Sequence, residues 1–216
     1  MELREMKEID IENWERKEHY RFFSQSDLPF YNVSFNVDIT GLPEYTKQHH
    51  LSFTNTVMYL TVRAMRQIRN FLYRIENGKV VEYNTLDPSF ACLKDGEELF
   101  RFITVKYTDD PKEFDHNAKA AVRKSTKYFD IGPETERSNF VFISSLPWIP
   151  FTGISHTLSL NRDDAVPRVS WGKYFYSDKT LCMPYDVQVN HRFVDGLHVG
   201  KFYEKLHEEI RTMIRI

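Results

Sequence analysis

Hydrophobic and polar residues follow two different periods along this chain, and the change of period separates predicted strands from predicted helices. From Tyr31 to Ile39 every second residue is apolar, which is typical of a strand with one buried face. After Ser52, a suitable N-cap, the apolar residues follow the 3.6-residue helical period as far as Ile68. The pattern therefore predicts both element types early in the chain.

Three further segments have the pattern of helices. Residues 10–23 predict a short helix with Asp10 as its N-cap, and residues 109–125 predict another with Pro111 in its first turn. The C-terminal segment is amphipathic, with apolar positions at Phe202, Leu206, Ile210 and Met213.

Turn residues between apolar runs predict two hairpins. Asn77-Gly78 divides residues 72–83, and Ser177-Asp178-Lys179 separates residues 168–176 from 180–191. Further strand-like runs occupy residues 89–94, 98–107 and 139–145. Because several strands are joined by hairpins while helices lie between others, we expect an α/β fold with a mixed sheet covered by helices, and not a doubly wound parallel sheet.

Composition narrows the class of protein. With 216 residues, no repeat and no linker, the chain predicts a single domain over residues 1–216. A net charge of -2 gives no field that would attract nucleic acid or anionic lipid. No apolar run approaches the ~20 residues of a membrane helix and the N-terminal residues are charged, so we expect a cytoplasmic protein. Cys92 and Cys182 lie in apolar runs without metal or redox spacing, which predicts buried free thiols.

The segment from Gln188 to His198 carries the candidate chemistry. His191 could accept a proton near neutral pH, and Asp195 could orient it or stabilise its loop. Two other interpretations stay open at this point. Asp195-Gly196 is also a common turn and a single histidine is often structural, while His191, Asp195 and His198 together could ligate a metal.

The residues HRFVDG fit the HxxxDG signature, and the flanking VQVNH and GLHVGKFYEKL resemble the chloramphenicol acetyltransferase family more closely than the related dihydrolipoyl acyltransferases. Residues 13–20, residues 143–148 and Lys173-Tyr174 resemble further landmarks of that family, in its order. The similarity covers essentially the whole chain. It implies a two-layer α/β sandwich and a homotrimer with its active sites at subunit boundaries. It also implies direct acetyl transfer from acetyl-CoA to a hydroxyl of chloramphenicol in a ternary complex, without a metal.

The resemblance also implies roles for individual residues. His191 corresponds to the general base, and Asp195, paired with Arg16, supports the loop that presents it. Ser144 corresponds to the serine that donates a hydrogen bond to the oxyanion, and Ser170 to a threonine that binds the intermediate through water. The residues expected to contact CoA are Trp148 and Tyr174.

The acceptor pocket is where the chain departs from the family. Aromatic walls are kept at Phe22, Phe23, Phe100 and Phe129. Larger or more polar residues stand at Phe30, Phe102 and His156, and Asn190 replaces a second histidine beside the base. An acetyltransferase for another hydroxylated small molecule, a lipoyl acyltransferase and a non-catalytic CoA-binding relative therefore remain alternatives.

Overall fold

The computed structural model describes residues 6–129, 138–158, 160–161 and 163–215. Its helices are α1 (Lys17–Phe23), α2 (Leu42–Gln48), α3 (Phe53–Arg66), α4 (Pro111–Lys124) and α5 (Gly196–Arg215), with short 3₁₀ helices at Ile11–Asn13 and Arg69–Leu72. Its strands are β1 (Met6–Glu8), β2 (Phe30–Asp38), β3 (Tyr73–Glu76), β4 (Lys79–Tyr83), β5 (Asp87–Cys92), β6 (Arg101–Thr104), β7 (Phe140–Leu146), β8 (Arg168–Gly172), β9 (Phe175–Ser177) and β10 (Thr180–Asn190).

The main sheet has the strand order β2-β10-β8-β7-β5-β6, and β9 pairs with one end of β10. The central pairs β5–β7 and β7–β8 are parallel, whereas the outer pairs are antiparallel. The parallel centre places the ends of β7 and β8 side by side. A smaller antiparallel sheet has the order β1-β4-β3.

Helices cover the main sheet and enclose the core. Helix α3 packs against α4, α5, β5 and β7, while α5 also contacts β2. Ser52 caps α3 by accepting a hydrogen bond from the backbone N–H of Asn55, and Asp110 caps α4. The buried side chains between helices and sheet include Phe71, Phe202, Val169 and Tyr185. These features confirm the predicted mixed sheet with a helical layer.

Arg74 joins the small sheet to the main one. Its guanidinium is buried and donates to the backbone carbonyls of Phe140, Ser138, Phe71 and Tyr73, at 2.6–2.8 Å. Burial lowers the pKa of Arg74 to about 10. The carbonyl partners compensate the guanidinium for its lost hydration, so β3 and the start of β7 hold each other in place.

The structure differs from the expectations about local structure at three points. Asp10 caps only the 3₁₀ turn Ile11–Asn13, and α1 begins later at Lys17, because extended Trp14 lies in the core against Tyr73, with ring centroids 5.0 Å apart. Helix α2 was not expected. Its seven residues contain Pro43 and are too few to establish a clear period. The thiols of Cys92 and Cys182 are free, as expected, but both residues are partly exposed.

None of the helices in the described part of the chain combines the length and apolar character of a membrane span.

Candidate active site

The loop between β10 and α5 presents His191. The carbonyl of Asn190 accepts hydrogen bonds from the backbone N–H groups of Phe193 and Val194, both at 3.0 Å, which turns the chain sharply after the strand. Asp195 stands just before α5, and its backbone N–H donates to Nδ1 of His198 at 2.9 Å. This contact resembles the return half of a capping box, because a side chain in the first helical turn satisfies the N–H of the capping residue.

The guanidinium group of Arg16 holds this loop in place. Its two terminal nitrogens donate to the two carboxylate oxygens of Asp195, each at 2.5 Å, so the pair is bidentate. The same guanidinium also donates to the backbone carbonyls of His191 at 3.0 Å and Arg192 at 2.8 Å. The Arg16 side chain is 9% exposed. The predicted pairing of Arg16 with Asp195 is therefore present, in a largely buried position that also ties down the backbone of the candidate base.

The ring of His191 is held by aromatic contacts. Phe23 of α1 stacks on the imidazole with centroids 3.9 Å apart and planes 12° apart, and Tyr31 lies at 4.6 Å. The backbone N–H of His191 donates to the carbonyl of Pro29 at 2.7 Å. The side chain is 34% exposed. His191 is thus fixed in orientation while part of its ring remains accessible.

The relation of His191 to Asp195 is electrostatic. Nδ1 of His191 lies 3.2 Å from Oδ1 of Asp195, but the angles do not make a hydrogen bond and buried Nδ1 forms none among the described residues. Arg16 is the main partner of Asp195, because it engages both carboxylate oxygens at short distance. Burial favours the neutral form of Asp195, but the opposing hydrogen bonds and charge of Arg16 hold the pKa of Asp195 below its usual value. Asp195 is therefore an anion that supports the loop.

Tyr31, which sequence reasoning missed, closes one side of the histidine. Its hydroxyl donates to the carbonyl of Val194 at 3.2 Å. Burial and then the charge of Asp195 raise the pKa of Tyr31 to about 12, so the hydroxyl stays protonated and remains a donor. The alternating pattern of β2 indicated a buried position for Tyr31 but not its contact with His191.

Asn190, the departure beside the base, has a clear structural role. Its side-chain oxygen accepts from the backbone N–H of Arg192 at 2.9 Å and from Nε of Arg192 at 3.1 Å. Its amide donates to the carbonyl of Asp164 at 3.0 Å. Asn190 is buried, so all three contacts are made away from solvent. The asparagine connects the His191 loop to the segment that precedes β8.

A second group of the predicted site residues lines a cavity of about 430 Å³. Ser144 of β7 lines it, and four phenylalanines give it apolar walls. The remaining lining residues are polar: Ser89, Thr104, His156, Thr157 and Arg168. The phenylalanines are Phe102, Phe129, Phe140 and Phe142. His191 is not among the described residues that line this cavity.

Ser170 takes a different position from the one expected. It is the register partner of Ser144 across β7 and β8, but it is fully buried and does not line the cavity in the described structure. Its hydroxyl is instead 3.2 Å from Nε2 of His156. His156 therefore lies on the cavity surface, with Ser170 beneath it.

The other predicted aromatic residues divide between the two regions. Phe22 is exposed and packs edge to face on Phe23, next to His191. Phe100 lies beside the cavity, with its ring 5.5 Å from Phe102 and 5.8 Å from Phe129. Phe30 packs on the guanidinium of Arg168 at 5.2 Å.

Trp148 and Tyr174 lie on adjacent turns. The backbone N–H of Lys173 donates to the carbonyl of Ile149 at 2.9 Å, which joins the turn after β7 to the turn after β8. Trp148 is 66% exposed and Tyr174 is 42% exposed. The close approach requires Gly172, because a Cβ atom there would lie 2.6 Å from the Ile149 carbonyl oxygen. The fold thus exposes one aromatic ring on each of two turns that are hydrogen-bonded to each other.

The metal hypothesis finds no support in this geometry. Arg16 engages both oxygens of Asp195, and a backbone N–H engages Nδ1 of His198. Within the described ranges, no group of three or more histidine, cysteine or acidic residues is arranged to hold a metal ion.

Comparison with known proteins identifies the family of the chain. The family model for chloramphenicol acetyltransferase matches residues 4–207. The chain belongs to the chloramphenicol acetyltransferase family. It is 28% identical to the chloramphenicol acetyltransferase of Clostridium perfringens over 202 residues, which cover 93% of this chain and 92% of that relative. It is 27% identical to chloramphenicol acetyltransferase 3 of Escherichia coli over 210 residues, which cover 96% and 98%.

A solved structure of a chloramphenicol acetyltransferase has the same architecture. It aligns with a TM-score of 0.86 at 28% identity and covers 95% of this chain and 99% of the other. The resemblance seen in the HRFVDG segment and the predicted two-layer α/β fold are both confirmed. The predicted roles of the site residues remain predictions, and the geometry now gives each of them a position.

Two buried residues near the cavity also escaped the sequence analysis. Arg168 and Gln188 are register partners on β8 and β10, and both side chains approach the His156 segment. A strand pattern indicates that such positions are buried but does not identify what they contact. No sequence signal connected either residue with His156.

Proposed function

We propose that this protein is an acetyl-CoA-dependent chloramphenicol O-acetyltransferase. The observation that carries the proposal is the arrangement of His191 in a chain of this family. Arg16 holds its backbone, Phe23 stacks on its ring, and part of the ring remains exposed. A fixed, accessible imidazole with a neighbouring anion suits a general base.

The proton is removed by Nε2 of His191, because Nδ1 is buried on the side of Asp195. As the acceptor hydroxyl loses its proton, its oxygen forms a bond with the acetyl carbonyl carbon of acetyl-CoA. The resulting tetrahedral intermediate collapses, the carbon–sulfur bond breaks, and the CoA thiolate takes the proton from the imidazolium. The reaction needs no metal and no acyl-enzyme.

The hydroxyl of Ser144 is the proposed donor to the oxyanion. Ser144 faces the cavity near the end of β7, so it offers an O–H group where an acetyl carbonyl can be bound. Acetyl-CoA is the proposed co-substrate, and the exposed rings of Trp148 and Tyr174 offer apolar surface for its pantetheine and adenine parts. A cytoplasmic location, where acetyl-CoA is available, is part of the proposal.

We further propose a homotrimer in which each active site is completed by two subunits. The support is the separation of the two halves of the site. The described cavity contains Ser144 but not His191. A cyclic trimer repeats one heterologous interface three times, so it can bring the His191 surface of one subunit to the cavity of the next at every boundary.

The first experiment measures release of the CoA thiol from acetyl-CoA by the purified protein, with and without chloramphenicol. We expect chloramphenicol-dependent release, and a loss of about 10²–10⁴ in kcat for His191→Ala. The matched control is His116→Ala, because His116 lies on the exposed face of α4. Full activity of His191→Ala would exclude the mechanism.

Mixing inactive subunits tests the shared site. His191→Ala and Ser144→Ala chains are unfolded together and refolded in equal amounts. If each site takes His191 from one chain and Ser144 from another, about a quarter of the sites in random trimers are intact, and activity returns to that level. A site contained in one chain would give no recovery. Light scattering on the wild-type protein measures the oligomer directly.

Another hydroxylated acceptor is the second candidate. The polar lining residues His156 and Arg168 favour it, because they present hydrogen-bonding groups beside the aromatic walls. A panel of hydroxylated aromatic compounds in the same thiol assay distinguishes the candidates. Turnover of a panel member without turnover of chloramphenicol would favour the second.

A further inference from the structure

Four consecutive backbone carbonyls, those of residues 191–194, each accept a hydrogen bond from a side chain of another part of the chain. Arg16 donates to the first two, at 3.0 and 2.8 Å. Nδ2 of Asn70 donates to the third at 2.8 Å, and the hydroxyl of Tyr31 donates to the fourth at 3.2 Å. These carbonyls have no partners within a helix or a strand, so the three side chains determine the direction of the peptide planes.

The three donors belong to separate elements of the fold. Arg16 lies directly before α1, Tyr31 is on β2, and Asn70 is on the 3₁₀ helix Arg69–Leu72. The guanidinium of Arg16 engages the first half of the loop backbone, whereas the other two side chains engage the second half. The two carbonyls that follow Arg192 are therefore held by uncharged donors.

The peptide between Val194 and Asp195 connects these contacts to the candidate base. Its carbonyl accepts from Tyr31, and its N–H donates to Nδ1 of His198 at 2.9 Å. Because this peptide is held on both sides, the side chain of Asp195 starts from a fixed position. Its Oδ1 atom lies 3.2 Å from Nδ1 of His191. The contacts of the loop backbone thus reach the imidazole through Asp195.

We propose that Tyr31 and Asn70 are positioning residues for His191. The inference rests on the proposed acetyltransferase function and deepens it. The two side chains hold the second half of the loop so that the carboxylate of Asp195 stays beside Nδ1. A carboxylate in that place favours the neutral tautomer with its proton on Nδ1, which leaves the lone pair of Nε2 for the acceptor hydroxyl. In this role neither residue contacts a substrate.

Steady-state kinetics test the role by removing each donor. Tyr31→Phe deletes only the hydroxyl, and Asn70→Leu replaces the amide with an apolar group of similar size. Each should lower kcat about fivefold, the effect of one lost hydrogen bond, with the KM values for chloramphenicol and acetyl-CoA unchanged. Unchanged kcat, or a higher KM for chloramphenicol at unchanged kcat, would overturn the proposal.

The His191→Ala background shows whether the two residues act through the base. Neither Tyr31→Phe nor Asn70→Leu should lower the residual rate of His191→Ala further, because a group that only orients the imidazole has no effect without it. A further fivefold loss in that background would contradict the positioning role.

Matched controls and a stability measurement separate this role from general damage. The controls are Tyr45→Phe on α2 and Asn117→Leu on α4, both in the helical layer, and each should keep the kcat of the wild type. Thermal denaturation identifies any variant that has lost the fold. Equal losses of kcat in the controls and in the folded loop variants would overturn the proposal.

Nuclear magnetic resonance of the histidine ring nitrogens keeps this inference distinct from the proposed function. It reports the tautomer of His191 whether or not the protein acetylates chloramphenicol. The wild type should show one tautomer, with the proton on Nδ1, and Tyr31→Phe and Asn70→Leu should show a mixture. A wild type that acetylates no acceptor would exclude the proposed function. Unchanged His191 signals in both variants would overturn the inference separately.

Discussion

The His191 loop and the Ser144 cavity are built in contrasting ways. The loop is a short segment, residues 190–198, that is turned by hydrogen bonds among its own residues and held by side chains from elsewhere, chiefly that of Arg16. The cavity is assembled from β5, β6, β7, β8, Phe129 and residues 156–157, which are distant from one another in sequence. The loop is therefore determined mainly by a local motif, whereas the cavity is determined by strand register. Substitutions in the two regions should have different consequences.

After that of His191→Ala, the largest expected effect is that of a substitution in the cavity. Ser144→Ala removes the proposed oxyanion donor and should lower kcat by about 10²–10³ with little change in either KM. Ser145→Ala is the matched control, because the adjacent residue of β7 points to the other face of the sheet. Stopped-flow detection of the released CoA thiol measures the activity of both variants. Equal losses in the two variants would indicate damage to the strand and not to the chemistry.

Arg16→Met should affect the loop through its structure. The substitution leaves the Asp195 carboxylate and two backbone carbonyls without their donor, and we expect a loss of about 2–3 kcal/mol in the free energy of unfolding. Urea denaturation measures it. Arg21→Met removes an exposed ion pair with Glu12 and should change stability little. Equal losses in the free energy of unfolding for Arg16→Met and Arg21→Met would mean that the Arg16–Asp195 pair stabilises the protein no more than an exposed ion pair.

Asn190→Ala tests the connection between the two regions. The substitution removes the contacts to Arg192 and to the Asp164 carbonyl and should destabilise the protein by about 1–3 kcal/mol. It should also lower activity, because the segment that contains Asp164 leads directly into β8, whose first residue, Arg168, lines the cavity. Unchanged stability and kinetics would show that the loop and the cavity are independent.

The smallest effect concerns His198 and pH. Burial lowers the pKa of His198, and its Nδ1 accepts a backbone hydrogen bond that needs the neutral ring. The unfolded state then binds protons more readily, so stability is complete above pH 6.5 and decreases as pH falls below that value toward the folded pKa. His198→Gln keeps an acceptor without titrating and should show a shallower decline. The difference between the stability profiles of the wild type and His198→Gln reports on His198 alone, because the other titrating groups, such as His156, are present in both proteins.

Regular elements were the most predictable part of the fold. The alternation in β2, the helical period of α3 and the Asn77-Gly78 turn each identified an element, because the same residues that set the local pattern also face the core. The early helix was placed too far toward the N-terminus because Trp14 is committed to a tertiary contact with Tyr73, which no local pattern shows. Tertiary packing decides such boundaries.

Some contacts of the candidate site could be predicted from the sequence, and others could not. The resemblance carried by residues 188–198 indicated His191 and Asp195 and proposed Arg16 as the partner, and the structure places the three together. It did not show that Ser170 is covered by His156. That relation depends on a loop without periodicity meeting a buried strand, so it follows only from three-dimensional register.

The contact between Arg16 and Asp195 also has a consequence for synthesis. The two residues are 179 positions apart, and the intervening chain forms nearly all of the sheet and its helices. While the protein is being translated, Arg16 leaves the ribosome long before its carboxylate partner exists. The loop of the candidate base can therefore be completed only as one of the last steps of folding, after the strands on which it rests have been made.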